Sequence, residues 1–120
     1  MYIAVCEDHA EELELLVDVL HQWQQERKTA LRLKSFQNAV DLLEAARKEQ
    51  FTLYLLDVMM PGIDGMAAAR EIRSFDTSAE IVFLTSSPSF AYESYGVKAL
   101  DYLLKPIRTE LLFPVLDRLF

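Results

Sequence analysis

Short apolar runs alternate along the chain with longer segments whose apolar residues recur at helical spacing. The runs are too short for helices and rich in β-forming residues, which is typical of buried strands. Four such strands are predicted, at residues 2–6, 53–56, 81–84 and 101–104. The run Leu53-Tyr54-Leu55-Leu56 contains no charged residue, so we expect this strand to be buried on both faces.

A further strand is predicted around Leu31, Leu33 and Phe36, where Arg32 and Lys34 alternate with the apolar residues. Alternation places the charged side chains on one face of the strand, because successive residues point to opposite sides. One face is therefore solvated, and we expect this strand at the edge of the sheet.

The segments between the strands predict helices, because apolar residues three and four positions apart share one helix face. This face comprises Leu13, Leu16, Val17, Leu20 and Trp23 in the first helix, and Ala39, Leu42, Leu43 and Ala46 in the second. A third helix is expected from Asp64-Gly65 to Arg73, and a short fourth helix from about Phe90 to Tyr95.

The last helix is predicted with Thr109 as its N-cap, since a threonine hydroxyl accepts well from first-turn N–H groups. Pro114 lies several residues further on, where a proline removes a backbone hydrogen bond, and it therefore favours a later helix start. Together the elements alternate as (βα)₅. Regular alternation predicts an α/β fold, a doubly wound five-stranded parallel sheet with helices on both faces.

Length and charge limit the classes of function. The 120 residues fit one domain, residues 1–120, and 12 basic against 19 acidic residues give a net charge of -7. This charge disfavours binding to nucleic acids and to anionic membranes.

Three features of the sequence lead us to expect a cytoplasmic protein. The single cysteine forms no internal disulfide, and the N-terminus lacks a signal sequence. No apolar run reaches the roughly 18–20 residues that span a bilayer. The apolar end at Leu119-Phe120 leads us to expect further chain beyond it.

Reactive side chains follow four of the five predicted strands. They are Glu7 and Asp8 after the first, Asp57 after the third, Thr85 and Ser86 after the fourth, and Lys105 and Pro106 after the fifth. Doubly wound sheets bind ligands at the carboxyl ends of their strands, so we expect these side chains to meet.

The chemistry of these side chains suits phosphoryl transfer. Clustered carboxylates repel one another unless a cation joins them, and oxygen ligands of this kind suit Mg²⁺. An aspartate such as Asp57 can act as a nucleophile towards phosphorus. The Lys105 ammonium and the Thr85 hydroxyl would then stabilise charge on the transferred group.

Taken together, these residues resemble the receiver (CheY-like) domain of response regulators over nearly the whole chain. The family has a flavodoxin-like fold, and the resemblance implies the strand order 2-1-3-4-5. Glu7 and Asp8 resemble the family's metal-binding pair, and Asp57 resembles its phosphoacceptor. The resemblance implies that these three residues and the backbone carbonyl of Met59 hold Mg²⁺.

The resemblance extends to the switch residues of the family. Thr85 and Ser86 resemble the switch hydroxyl and the small residue that follows it, and Tyr102 resembles the switch aromatic. Lys105-Pro106 resembles the family's lysine–proline pair, which implies a cis peptide bond between them.

The segment from Tyr95 to Pro106 is similar to receivers that precede LytTR-type DNA-binding domains. The receiver resemblance as a whole implies a histidine kinase as phosphodonor. The similarity of this segment implies a DNA-binding output domain beyond residue 120 that regulates transcription. It also implies a possible homodimer on phosphorylation. Such a domain is not an enzyme, apart from catalysing its own phosphorylation and dephosphorylation.

Other interpretations stay open. Asp57 alone could be a turn residue, and Glu7 and Asp8 could complement the positive end of a helix. A pseudo-receiver would keep the fold and act as an interaction module that never accepts phosphate. A metal-dependent phosphohydrolase with an aspartyl nucleophile usually has a general acid two residues later, where Met59 has no proton to give.

The remaining polar residues near the first strand predict no separate site. Cys6 and His9 have a C-x-x-H spacing, but a structural zinc ion needs four ligands and the chain has no second such pair. We therefore expect Cys6 in the core and His9 on the surface. Three further acids, Glu11, Glu12 and Glu14, are interpreted as a solvated helix face.

Overall fold

The computed structural model describes residues 1–120 and contains all five predicted strands. The strands are β1 (Tyr2–Cys6), β2 (Arg32–Phe36), β3 (Leu53–Leu56), β4 (Glu80–Thr85) and β5 (Asp101–Leu104). All neighbouring strands pair in parallel, in the order β2-β1-β3-β4-β5. The predicted fold class and strand order are confirmed.

Five helices alternate with the strands. They are α1 (Ala10–Arg27), α2 (Ala39–Lys48), α3 (Gly65–Phe75), α4 (Ala91–Ser94) and α5 (Thr109–Leu119). The third helix continues to Phe75 rather than ending at Arg73. The short fourth helix is a single turn, flanked by 3₁₀ turns at Pro88–Phe90 and Tyr95–Val97. No helix combines the length and the hydrophobicity that a membrane-spanning segment needs.

The central strand β3 is fully buried and separates two apolar layers. Leu53 and Leu55 pack in the layer formed with α1 and α5, whereas Tyr54 and Leu56 pack in the layer formed with α2 and α3. This division follows from the two-residue period of a strand, and it explains why the sequence of β3 is apolar throughout. The residue that follows β3 is consequently held near the middle of the sheet edge.

The strand β2 lies at the edge of the sheet, as its alternating pattern predicted. Arg32, Lys34 and Ser35 are exposed, whereas Phe36 is buried. The Lys34 ammonium donates to Glu49 Oε2 at 2.7 Å. Charged side chains of this kind discourage an open edge from pairing with other chains.

Two expectations about the last helix are wrong. The helix begins with Thr109 as its first helical residue, so Arg108 and not Thr109 occupies the N-cap position. Pro114 lies inside this helix and does not delay its start. A proline there costs about 3 kcal/mol, but Leu112 and Leu116 are fully buried. Each buried leucine contributes about 1.5–3 kcal/mol, so packing of this face outweighs the lost hydrogen bond.

Candidate functional site

The residues that follow the strands are held at the carboxyl edge by extensions of the sheet. The Asp57 N–H donates to the Cys6 carbonyl at 3.1 Å, and the Lys105 N–H donates to the Thr85 carbonyl at 2.8 Å. The Glu7 N–H donates at 3.0 Å to the carbonyl of the last residue of β2. Three predicted site residues are therefore fixed in position by backbone pairing.

The Lys105 ammonium joins three carboxylates. It donates to Asp57 Oδ2 at 2.9 Å and to Glu12 Oε2 at 3.0 Å, and it also donates to Glu7 Oε1. Asp57 and Glu7 are only 4% and 3% exposed, so both carboxylates are largely removed from bulk solvent. Buried carboxylates require a paired cation, because removing the charge partner leaves the desolvation penalty unopposed.

The three carboxylates and one ammonium leave the cluster with excess negative charge. Burial raises the pKa of Glu7 to about 7, and the hydrogen bonds from Lys105 and the His9 N–H only partly oppose this. For Lys105, burial acts to lower the pKa, but the hydrogen bonds to its three carboxylate partners outweigh burial and raise the pKa. Additional positive charge at this site would therefore stabilise it.

The loop after β3 is held close to α3 by a glycine. The Asp57 Oδ1 oxygen accepts from the Met59 N–H at 3.1 Å, and the Gly65 N–H donates to the Val58 carbonyl at 3.0 Å. A Cβ atom on Gly65 would lie 1.9 Å from the Asp57 carbonyl oxygen. Only glycine lets the start of α3 approach the loop this closely.

Asp8 lies next to the cluster. Its Oδ1 atom is buried, makes no hydrogen bond and lies 3.4 Å from His9 Nδ1. An unsatisfied buried carboxylate oxygen is costly, and a bound cation would satisfy it. The Glu7 and Asp57 carboxylates have ligand atoms within 4.8 Å of each other and of Glu12 and His9, and they fit a hard divalent cation such as Mg²⁺. Asp8, which was also predicted as a ligand, is not within this group.

Two residues of this cluster were not among the predicted site residues. His9 is on the surface as expected, with its side chain 66% exposed, and Glu12 was assigned to a solvated face. One oxygen or nitrogen of each also lies within 4.8 Å of ligand atoms of Glu7 and Asp57. Glu12 is in the first turn of α1, directly after the strand end. The sequence did offer one signal for Glu12: it is a carboxylate in the first turn of the helix that follows Glu7 and Asp8.

Cys6 takes no part in this cluster. The thiol is buried and lies 3.7 Å from the sulfur of Met60, in the layer formed with α2 and α3. Burial raises the pKa of the Cys6 thiol to about 12, which keeps it protonated. The expectation of a core cysteine is confirmed, and Cys6 does not share a ligand cluster with His9.

The predicted switch residues meet at Ser87. Thr85 is fully buried, and its hydroxyl oxygen accepts from the Ser87 N–H at 3.5 Å. The Tyr102 hydroxyl donates to the Ser87 carbonyl, and its ring packs 5.9 Å from that of Phe83. Thr85 and Tyr102 are thus connected through the backbone of one residue. Ser86, between Thr85 and Ser87, is exposed.

The remaining predicted feature of this edge is the peptide bond after Lys105. The Lys105–Pro106 bond is cis, as the family resemblance implied.

Comparison with known proteins places this geometry in a family. The family model of the response regulator receiver domain matches residues 3–117 of this sequence. An uncharacterized response regulatory protein of Shewanella oneidensis is 40% identical over 81 residues, which are 68% of this chain and 34% of that protein. Sensory transduction protein LytT of Oceanobacillus iheyensis is 31% identical over 112 residues, 92% of this chain and 44% of that protein. The chain spans less than half the length of these relatives.

Solved structures with the same architecture superimpose on nearly the whole chain. Response regulator TrrA of Thermotoga maritima, in complex with Mg²⁺-BeF, superimposes with a TM-score of 0.86 at 25% identity, covering 99% of this chain and 98% of that chain. The response regulatory domain of protein mrkE from Klebsiella pneumoniae gives a TM-score of 0.88 at 25% identity, covering 99% and 94%. The family match, the strand order and these superpositions agree, and the chain belongs to the response regulator receiver domain family.

Proposed function

We propose that Asp57 accepts a phosphoryl group from a histidine kinase in a Mg²⁺-dependent reaction, and that the resulting change controls an output domain. One observation supports this most strongly: the buried Asp57 carboxylate is paired at 2.9 Å with the ammonium of Lys105, at the carboxyl edge of the sheet. The fold orients this nucleophile and a cation for the transferred group at the same place.

The transfer forms one bond and breaks another. A carboxylate oxygen of Asp57 attacks phosphorus, and the bond from phosphorus to the imidazole nitrogen of the donor histidine breaks, which leaves an acyl phosphate on Asp57. Glu7, Asp8, Asp57 and the Met59 carbonyl would hold Mg²⁺, which neutralises charge on the phosphoryl oxygens when it is bound. Lys105 then leaves the Asp57 carboxylate for a phosphoryl oxygen, while Gly65 and the loop after β3 keep the nucleophile in position.

The switch acts through Ser87. Thr85 turns its hydroxyl from the Ser87 N–H towards a phosphoryl oxygen, and Tyr102 follows into the space that Thr85 leaves. The surface formed by α4, β5 and α5 changes as a result. A local charge thereby shifts the balance between two arrangements of the domain.

Replacement of Thr85 by alanine is expected to separate phosphate binding from switching. In the wild type, Mg²⁺ with beryllofluoride should shift amide resonances near Asp57 and also those of Ser87 and Tyr102, measured in ¹H–¹⁵N spectra. In Thr85→Ala the shifts near Asp57 persist but those of Ser87 and Tyr102 are lost, because the connecting hydroxyl is gone. Equal shifts at Ser87 and Tyr102 in both proteins would contradict the proposed switch. A wild type that shows no shift with Mg²⁺ and beryllofluoride would contradict the proposed function itself.

Binding of Mg²⁺ is expected to strengthen as the pH rises. Because burial raises the pKa of Glu7 to about 7, its carboxyl is protonated below that pH and must lose the proton to bind the cation. The Mg²⁺ affinity should fall roughly tenfold per pH unit below about pH 7 and level off above it. Calorimetric titration across this range measures the slope, and Glu7→Gln should reduce it. An affinity independent of pH in the wild type would contradict the role of Glu7.

The wider context is proposed from the relatives. We infer a cytoplasmic domain of a two-component system, not an enzyme beyond its own phosphorylation and dephosphorylation. LytT and the Shewanella response regulatory protein are longer than this chain, which supports an output domain beyond residue 120. The similarity of the segment from Tyr95 to Pro106 supports a LytTR-type, DNA-binding output that regulates transcription. Phosphorylation of the full protein would then favour a homodimer.

A further inference from the structure

The imidazole of His9 lies among three carboxylates at the edge of the proposed metal site. Its Nδ1 atom is 3.4 Å from Glu7 Oε2, 3.4 Å from Asp8 Oδ1 and 3.2 Å from Glu12 Oε2. His9 occupies the N-cap position of α1, but its side chain makes no capping hydrogen bond. The His9 side chain therefore does not cap the helix.

A single hydrogen bond accounts for only one of the three carboxylates around this nitrogen. The His9 Nδ1 atom is at hydrogen-bonding distance from Glu7 Oε2. One ring N–H donates well to a single acceptor, so the approach of Asp8 and Glu12 has a further cause. Ligands at right angles on one cation, with bonds of about 2.1 Å, are about 3.0 Å apart. The observed separations of 3.2–3.4 Å are close to this value. Small movements would bring the nitrogen and the carboxylate oxygens around one cation.

The carboxylate of Glu7 separates this position from the ammonium of Lys105. Its Oε1 oxygen accepts from Lys105, and its Oε2 oxygen is the one near His9. A cation between His9 and Glu7 would therefore lie beside the ammonium rather than in its place. The His9 side chain is 66% exposed, which leaves room for water ligands on the outer side.

We propose that His9 is a metal ligand that adapts the receiver's cation site to nitrogen-preferring transition metals such as Co²⁺, Ni²⁺ and Zn²⁺. The proposal rests on the Mg²⁺ site of the proposed function and extends its specificity. Mg²⁺ prefers oxygen ligands, whereas an imidazole nitrogen favours first-row transition metals. The His9 imidazole therefore distinguishes between cations that the carboxylates alone would bind by charge.

The test compares Co²⁺ and Mg²⁺ binding to the wild type, His9→Asn and His21→Asn. Asparagine keeps an oxygen near the position of Nδ1 and is favoured at a helix N-cap, so the fold should be retained. His21 is exposed on α1 and is the only other histidine, which makes its variant the matched control. Calorimetry gives both affinities, and the contact-shifted ring N–H proton of a Co²⁺-bound imidazole reports coordination directly.

In His9→Asn the Co²⁺ affinity should fall at least about tenfold and the shifted ring proton should disappear, whereas Mg²⁺ affinity changes by less than about threefold. His21→Asn should match the wild type in all three measurements. Unchanged Co²⁺ affinity in His9→Asn would overturn the proposal. So would stronger binding of both cations, which indicates that His9 acts only as a positive partner of the carboxylates. Failure of the wild type to bind Mg²⁺, with Co²⁺ still bound through His9, would instead count against the proposed function alone.

Discussion

Replacement of Lys105 by methionine is expected to lower the free energy of unfolding by about 3–5 kcal/mol in the absence of divalent cations. Methionine keeps most of the side-chain volume but leaves the buried carboxylates of Asp57 and Glu7 without their common cation. The two carboxylates would then repel each other in a site that water barely reaches. Urea unfolding at about pH 8, above the pKa of about 7 that Glu7 has in the wild type, measures the loss.

A lysine on the surface provides the control. Lys34→Met removes an ion pair with Glu49, in which the Lys34 side chain is 46% exposed and the Glu49 side chain 30%. Loss of this exposed ion pair should change the free energy of unfolding by less than about 1 kcal/mol. Added Mg²⁺ should stabilise both variants, because both keep the carboxylates that would bind it, but it should stabilise Lys105→Met more, because there the bound cation also compensates the missing ammonium charge. Equal stabilities of the two variants without Mg²⁺ would contradict the role given to Lys105.

Replacement of Gly65 by alanine is expected to destabilise the domain by about 3 kcal/mol or more. The added Cβ would lie 1.9 Å from the Asp57 carbonyl oxygen and 2.9 Å from the Val58 Cα. Both are backbone atoms, so no flexible side chain can move aside. The higher helix propensity of alanine is worth only about 1 kcal/mol. Relief of the clash would displace the loop that holds Asp57, and Mg²⁺ binding should weaken with it.

Gly96 offers a matched substitution without a clash. A Cβ atom there meets nothing within 4 Å, so Gly96→Ala should change the free energy of unfolding by less than about 0.5 kcal/mol. Urea unfolding and Mg²⁺ titration of both variants make the comparison. If Gly65→Ala were as stable as Gly96→Ala and bound Mg²⁺ normally, the close approach of α3 to the loop would be needed neither for stability nor for Mg²⁺ binding.

Much of the fold and of the site was predictable because both depend on strand ends. The apolar run of β3 places Asp57 at the middle of the sheet edge, and the same reasoning places Glu7 and Lys105 beside it. Backbone hydrogen bonding makes these positions nearly independent of side-chain detail. For this reason the spacing of residues along the chain was sufficient.

The contributions of α1 were not predictable in this way. Whether Glu12 and His9 point to the sheet edge depends on how α1 packs against the sheet, which residue spacing does not specify. The last helix shows a similar limit. Pro114 argued for a later start, but burial of Leu112 and Leu116 outweighs the local preference of one residue. In both cases tertiary packing, rather than the local sequence, determines the observed structure.

The connection of Thr85 and Tyr102 through Ser87 also appears only in three dimensions. Thr85 ends β4, Ser87 lies in the turn between β4 and α4, and Tyr102 lies within β5. The family resemblance assigned switch roles to Thr85 and Tyr102 separately. Their common partner supports the proposed coupling of the two hydroxyls, and Ser87 is therefore the position at which to test it.

The central claim is that Asp57 is the phosphoacceptor, and the intact mass of the domain after incubation with acetyl phosphate tests it most directly. We expect the wild type to gain one phosphoryl group only when Mg²⁺ is present, with the gain mapped to Asp57 and removed by hydroxylamine. Asp57→Asn should gain none. A gain of the same size in Asp57→Asn, or no gain in a wild type that also fails to bind Mg²⁺, would contradict the claim.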